Sequence, residues 1–498
     1  MNKLYFFLLM SILSFLISCG DEIQKEEKGP TAQTKKDEVN DFIWSALNSW
    51  YYWQKDVPNL ADNRFSDAEY LRFINSTKDH EGFFYNLLYR YGEEDRFSWV
   101  VDDVEKLMAS FSGKQAATGL EYSLARIENG NSILGLVNYI IPNSPADKAG
   151  LKRGDVFFKI NGELLTQRNY RKLTEDNFTI TVAQNFKFKN KVFTYDGEKN
   201  FHIKGEELQE NPIHYSKIFK INGKKIAYLV FNAFQANYND ELNEKFGEFK
   251  AEGVTDLILD LRYNGGGSVN TALALGQMIT GQFANRKYIT LNYNDKHTAS
   301  NSTGYLNKEI GLFEFEDGEM KSKGKELANS LHLNRVYVLT SHATASASEL
   351  TITSLKPYID VVQIGQKTYG KFVGSITLVD APDKNINKAY TDFENRNKNH
   401  SYGMQPIVFA YFNSRNEVFV EGVEPDIKIN FVDYLGNIKE FGNPSDPALA
   451  KALEQITGNK FRKASEKKLK LETWPVGDSK TLKKFGTEMY ITDLSEFK

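Results

Sequence analysis

Three segments of the 498-residue chain carry residue types that could do chemistry. The first is L-I-L-D-L-R-Y-N-G-G-G-S at 257–268, where an apolar run of strand character enters a triple glycine. Such a turn exposes successive backbone N–H groups with no side chains in the way, which suits a phosphate or an oxyanion. No Lys-Ser/Thr follows the glycines and no G-x-G-x-x-G is present, so neither nucleotide fingerprint fits. The second is S-H-A-T-A-S-A-S-E-L at 341–350, with hydroxyls clustered where a helix should begin. Ser346 becomes a nucleophile only if a base lies within hydrogen-bond reach. Taken alone, Ser346 with Glu349 also fits the S-x-x-E capping box, and a serine at a helix start is more often a cap. The third is Q-K-T-Y-G-K-F at 366–372, whose Lys371, beside a glycine, reads by itself as a surface lysine. A lysine can accept a proton only when neutral, and that requires burial to depress its pKa.

The elements around these segments alternate. Apolar strands are expected at 226–231, 257–261, 336–340 and 361–365, with amphipathic helices at 240–250 and 271–279 and one starting near Ser346. Repeated β-α units of this kind argue an α/β domain. Upstream, Phe42, Ile43, Ala46, Leu47, Trp50 and Tyr51 recur at helical spacing, followed by apolar sets at 70–74 and 83–88, which predicts a small helical domain over 39–108 with an aromatic core. Between the two lies S-P-A-D-K-A-G-L-K-R-G-D at 144–155, a short helix with Gly150 as its C-cap, running into a strand closed by Asn161-Gly162. This stretch resembles a PDZ domain, taken here as residues 112–205. By that resemblance Gly119, Leu120, Glu121 and Tyr122 form the loop whose backbone N–H groups meet a peptide C-terminus, while the following strand edge pairs with the peptide.

Together the three segments resemble the carboxyl-terminal processing, or tail-specific, proteases: a strand ending in D-L-R-x-N-x-G-G, a serine in S-A-S-E, and a lysine in an aromatic-Gly-Lys step 25 residues after the serine. G-V-E-P-D at 422–426 matches that family's G-V-x-P-D element. The resemblance implies a multidomain α/β chain: a ClpP/crotonase-like β-α protease core over 209–435, an inserted β-rich PDZ domain and an N-terminal helical domain. It also implies that Ser346 is the nucleophile, Lys371 its base, Glu349 an acidic third member that orients Lys371 or caps the helix, and Gly266 and Ala347 the oxyanion donors. The pocket around Lys371 should be apolar. No cofactor or metal is implied. Gly265 stands where the family carries proline, and Phe372-Val373-Gly374 replaces the usual Gly then Gln. His342, four residues before Ser346, is expected to pack in its loop.

The bulk numbers permit this reading. Hydrophobic residues make up 41% and charged residues 26%, and the net charge of −3 asks for neither nucleic acid nor an acidic lipid surface. Residues 1–18 read as a signal peptide ending in L-I-S-C-G, which resembles the lipobox of bacterial lipoproteins and makes Cys19, the chain's one cysteine, the lipidation site. Residues 19–38 are polar and read as a tether. The expected setting is the cell envelope, lipid-anchored and exported, with protein or peptide substrates bearing accessible C-termini as partners. The lysine-rich 436–498 is expected to add one helix, near 447–456, and is given no function. Two other classes compete: a catalytically inactive relative that binds apolar ligands or peptides, and a tethered PDZ scaffold.

Overall fold

The computed structural model describes residues 35–128, 130–461 and 471–497. The signal peptide, Cys19 and nearly all of the tether lie outside the described residues. The centre of the chain is a six-stranded sheet in the order Ile213–Ile221, Lys224–Phe231, Asp256–Asp260, Arg335–Thr340, Asp360–Gly365 and Ile427–Lys428. The first pair is an antiparallel hairpin; the remaining neighbours are parallel. Parallel strands need crossovers that cover both faces, so their sequences are continuous apolar runs. Leu257, Ile258, Leu259, Val336 and Val338 are accordingly all buried. The helices Asn239–Ala251, Val269–Thr280 and Ala347–Leu355 lie within a residue or two of where periodicity places them.

A second six-stranded sheet packs beyond these helices. Its order is Gly267–Ser268, Met489–Tyr490, Val373–Ser375, Ile407–Asn413, Arg286–Tyr293 and Ser302–Leu306. The helix Ala347–Leu355 contacts both sheets and is buried at every residue. That explains why its sequence shows hydroxyls and small residues all round rather than one apolar stripe.

The N-terminal helices Glu38–Trp50, Asp67–Ile74 and His80–Tyr85 do not form a core of their own. Phe42, Ile43, Leu47, Trp50 and Tyr51 belong to one continuous apolar cluster with the central sheet. Trp50 stacks on His297 with ring centroids 3.6 Å apart. The strand Trp99–Val101, which follows, pairs with Gly403–Gln405.

The PDZ-like region is a sheet in the order Gly197–Lys204, Asn177–Gln184, Val156–Ile160, Ile133–Ile140 and Leu120–Ile127. It gains a further strand from the far end of the chain, Thr473–Asp478, which pairs antiparallel with Leu120–Ile127. The C-terminal stretch therefore contributes one strand to this sheet and another, Met489–Tyr490, to the second sheet.

A buried ionic cluster joins the domains. Arg262 donates to Asp260 through Nε at 2.9 Å and Nη2 at 2.6 Å, and to Asp446 through Nη1 at 2.9 Å. Arg153, from the K-R-G-D run of the PDZ-like region, reaches the same Asp446 at 3.4 Å and the Tyr263 hydroxyl at 3.0 Å. Asp446 also caps the helix Pro447–Thr457. The arginine of D-L-R-x-N is thus a clamp between core, PDZ-like region and C-terminal helix. Removing one member of a buried pair leaves the other charge uncompensated, at about 3–5 kcal/mol. Arg262→Ala, which leaves Asp260 without a cation and Asp446 with Arg153 alone, should lower unfolding stability by about that amount in a urea titration.

Candidate active site

Asn264 sets the glycine turn. Its Nδ2 donates to the Phe231 carbonyl at 2.8 Å, and its Oδ1 accepts the Gly266 amide at 2.9 Å. Its own carbonyl accepts the Ala345 amide and the Ser348 hydroxyl, which ties the turn to the serine segment. Ser346 sits at φ 63°, ψ −119°, immediately before the helix Ala347–Leu355. A positive φ on a non-glycine residue costs free energy and persists only when the surroundings enforce it.

The enforcing group is Glu349. Its carboxylate is buried, 1% exposed, and accepts four hydrogen bonds: the Ser346 amide at 2.9 Å, the Lys371 amide at 2.8 Å, the Gly370 amide at 2.7 Å and the Thr368 hydroxyl at 2.5 Å. Burial pushes its pKa up; the four donors oppose that shift. Glu349 therefore fixes the backbones of Ser346 and Lys371 to one point and leaves the Lys371 ammonium group untouched. It is a positioning residue. Gly370 must be glycine here: its φ is +90°, and an added Cβ would fall 2.8 Å from the Val420 carbonyl. The G-V-E-P-D element braces the same loop, since the Val423 amide donates to Thr368 Oγ1 at 2.7 Å and the Thr368 amide to the Val423 carbonyl at 3.1 Å.

Lys371 is 1% exposed, with its ammonium 5.0 Å from the Phe97 ring centroid. Burial lowers its pKa below the ordinary lysine value of 10.5, although Glu488, Asp95 and Glu349 pull the other way. No hydrogen bond joins Lys371 to Ser346 among the described residues. Each bonds instead to the C-terminal segment: Lys371 Nζ donates to the Thr487 carbonyl at 2.7 Å, and Ser346 Oγ to the next carbonyl, Glu488, at 2.5 Å.

The oxyanion expectation needs revision at one residue. The Gly266 amide is engaged by Asn264. The amide that reaches the carbonyl at the serine is Gly267, which donates to Glu488 O at 2.6 Å. Ala347 opens the helix, so its N–H is one of the first-turn donors that the helix itself leaves unpaired. His342 packs edge-on against Tyr369, with centroids 5.4 Å apart.

In the PDZ-like loop, Gly119 has φ +75° and its carbonyl accepts the Ile141 amide. The Leu120 amide reaches Thr118 Oγ1 at 3.4 Å. The Tyr122 amide donates to Ser479 Oγ at 3.1 Å, and Glu121 accepts from the same hydroxyl. Sequence reasoning missed every residue that the C-terminal segment brings to the site, as well as Phe97 and Trp99. No motif marks them, and they lie more than a hundred residues from the serine and lysine.

Glu349→Gln keeps shape but turns an amide N–H₂ toward two of the four donors. An orphaned buried donor costs about 1–3 kcal/mol. The variant should lose about that much stability for each of two donors, read as a lower urea midpoint with the wild-type slope.

Similarity to known proteins agrees with this geometry. The model for peptidase family S41 matches residues 225–429, that for the peptidase S41 N-terminal domain residues 38–99, and a PDZ domain model residues 136–175. A carboxyl-terminal-processing protease of Picosynechococcus sp. is 24% identical over 294 residues, covering 57% of this chain and 60% of that protein. A CtpA-like serine protease of Staphylococcus aureus is 23% identical over 246 residues, covering 49% of this chain and 42% of that one. The chain thus spans less than two thirds of the length of these relatives. A solved structure from Bacteroides fragilis, described as an S41 protease, superimposes with a TM-score of 0.61 at 26% identity, over 84% of this chain and 97% of that one.

Proposed function

Because this chain belongs to peptidase family S41, with that family's N-terminal domain and a PDZ domain, we propose that it is a serine endopeptidase of the carboxyl-terminal processing type with Ser346 as nucleophile and Lys371 as base. The observation that carries the reading is the pair of bonds from Ser346 Oγ and Lys371 Nζ to consecutive carbonyls of one segment. A peptide lying there is gripped by both groups at once.

The chemistry follows from the surroundings. Neutral Lys371 takes the proton of Ser346 as the hydroxyl attacks a substrate carbonyl, then returns it to the leaving amine. The negative charge on the carbonyl oxygen falls to backbone N–H groups, with Gly267 and Ala347 placed to serve; such a donor contributes about 2.7–4 kcal/mol to barrier lowering. The substrate class is protein or peptide tails, brought in through the PDZ domain.

The lipid anchor completes the proposal. Cleavage before Cys19 would leave a thiol to carry lipid at the start of a polar tether, placing the protease on the exported face of a cell-envelope membrane. Metabolic labelling with palmitate should mark the wild-type chain and leave Cys19→Ser unlabelled; equal labelling of both would remove the anchor.

Two substitutions test the catalytic reading. Casein turnover should vanish in Ser346→Ala and fall at least a hundredfold in Lys371→Ala. Because the Lys371 pKa lies below 10.5, its neutral fraction grows as pH rises, so kcat/KM should climb with pH through a midpoint below that value. A flat profile, or full activity without Lys371, would reassign the base.

A further inference from the structure

The C-terminal segment runs through both places where a substrate tail would bind. At the PDZ domain, Thr473–Asp478 fills the free edge of Leu120–Ile127, with Thr473 opposite Ile127 and Asp478 opposite Ser123. This edge is where an added peptide strand would pair. The segment then turns at Ser479–Leu482 and crosses the catalytic cleft. Phe485 packs against Trp99 with ring centroids 3.8 Å apart and planes tilted by 48°, Glu488 covers Ser346, and Met489–Tyr490 inserts between Gly267–Ser268 and Val373–Ser375. With the segment in place Ser346 is 0% exposed. The space left beside the glycine turn is about 100 Å³, well below the ~300–1,000 Å³ of sites that enclose a drug-sized ligand.

The segment is held as an occupant, not presented for cutting. A hydroxyl in line to attack a carbonyl carbon approaches it at about 3–3.5 Å, on a path that leans away from the oxygen. Here Ser346 Oγ lies 2.5 Å from the Glu488 oxygen and donates its proton to it. The nucleophile is spent as a donor on the wrong atom.

The PDZ loop is fitted to this occupant. Glu121, 5% exposed, is the second residue of the strand Leu120–Ile127, just after the Gly119 turn that would receive a peptide carboxylate, and would repel one. It faces Lys480 at 3.8 Å and Lys483 at 3.9 Å, while Ser479 takes the Tyr122 amide. The glycine turn is fitted too. A Cβ on Gly265 would fall 1.8 Å from the Gly486 carbonyl, and φ at Gly265 lies outside the left-handed range, so it is room for the segment that requires glycine there.

Resting on the protease reading above, we propose that residues 473–490 are the resident ligand of the PDZ edge and the catalytic cleft, an internal strap whose basic Ser479-Lys480-x-x-Lys483 run is what the PDZ loop recognises, and whose release opens the enzyme. Incoming substrate strands compete with the strap for the Leu120–Ile127 edge.

The test uses the full chain with three readouts: fluorophosphonate labelling of Ser346, casein turnover, and amide exchange over 473–490. Gly265→Ala drives a methyl group into the strap. Lys480→Glu, which leaves the glycine turn itself unaltered, sets a carboxylate against Glu121, and adding Glu121→Lys restores the pairing. Both single variants should exchange faster over 473–490, label at least tenfold faster than wild type and turn over casein faster; the swap should return all three toward wild type. Wild type labelling and cleaving as fast as the single variants overturns the strap and leaves the protease standing. Faster exchange with no gain in labelling or turnover also overturns it. If Ser346→Ala still cleaves casein, it is the assignment of Ser346 that fails, and the strap fails with it.

Discussion

One buried carboxylate organises the catalytic region. Glu349 accepts bonds from the backbones of Ser346, Gly370 and Lys371 and from the Thr368 hydroxyl, so the two residues proposed to carry the chemistry are located by the same two oxygen atoms. A carboxylate with four donors cannot be moved without orphaning some of them, which makes the distance between the serine and lysine segments a stiff quantity. The positive φ of Ser346 is tolerable for the same reason: its amide is held by Glu349, and the next three residues are locked into a helix buried between two sheets. The G-V-E-P-D element and Gly370 complete the frame from the lysine side.

Around that frame the charges are arranged with little slack. Lys371 is buried; beyond the Thr487 carbonyl, its anionic partner Glu488 Oε2 is loose at 3.9 Å. That oxygen has no hydrogen-bond partner among the described residues, while Oε1 takes the Trp99 indole at 3.1 Å. A buried polar atom left unmatched costs about 1–3 kcal/mol, so the strap is bound less well at the catalytic centre than its backbone pairing alone would give. Its firm holds are elsewhere: the PDZ edge strand, the Glu121–lysine contacts and the apolar packing of Met489 and Tyr490. With Glu488 withdrawn, Lys371 would lose the largest influence that raises its pKa and, at the same time, part of the burial that lowers it.

Much of this was legible from residue order, for stated physical reasons. The parallel strands appear as uninterrupted apolar runs, and the helices beside them as 3.6-residue patterns. Ser346, Lys371 and the glycine turn stand out only together, by the order and spacing of their segments, since each alone reads as an ordinary cap, surface lysine or turn. What failed to show were pairings between distant segments. Arg262 was visible, but nothing in its neighbourhood says that its partner is Asp446, which lies 184 residues on. Gly266 and Gly267 are indistinguishable in sequence, and the Asn264 side chain engages the amide of Gly266, leaving that of Gly267 to meet the carbonyl at the serine. Nothing local marks Lys480 and Lys483 as more than surface lysines, because the acids they face, Glu121 and Glu210, lie far back in the chain. The N-terminal helices look like a separate domain because their aromatic stripe does not reveal that the other half of the core belongs to the central sheet.

The account depends on an amine that titrates low because it is buried beside the serine. Titration of Lys371 Nζ by NMR, with lysine isotopically labelled and the resonance assigned by loss in Lys371→Ala, measures this directly. The structure predicts a midpoint below 10.5 in the wild-type chain. A midpoint at or above 10.5 would contradict it.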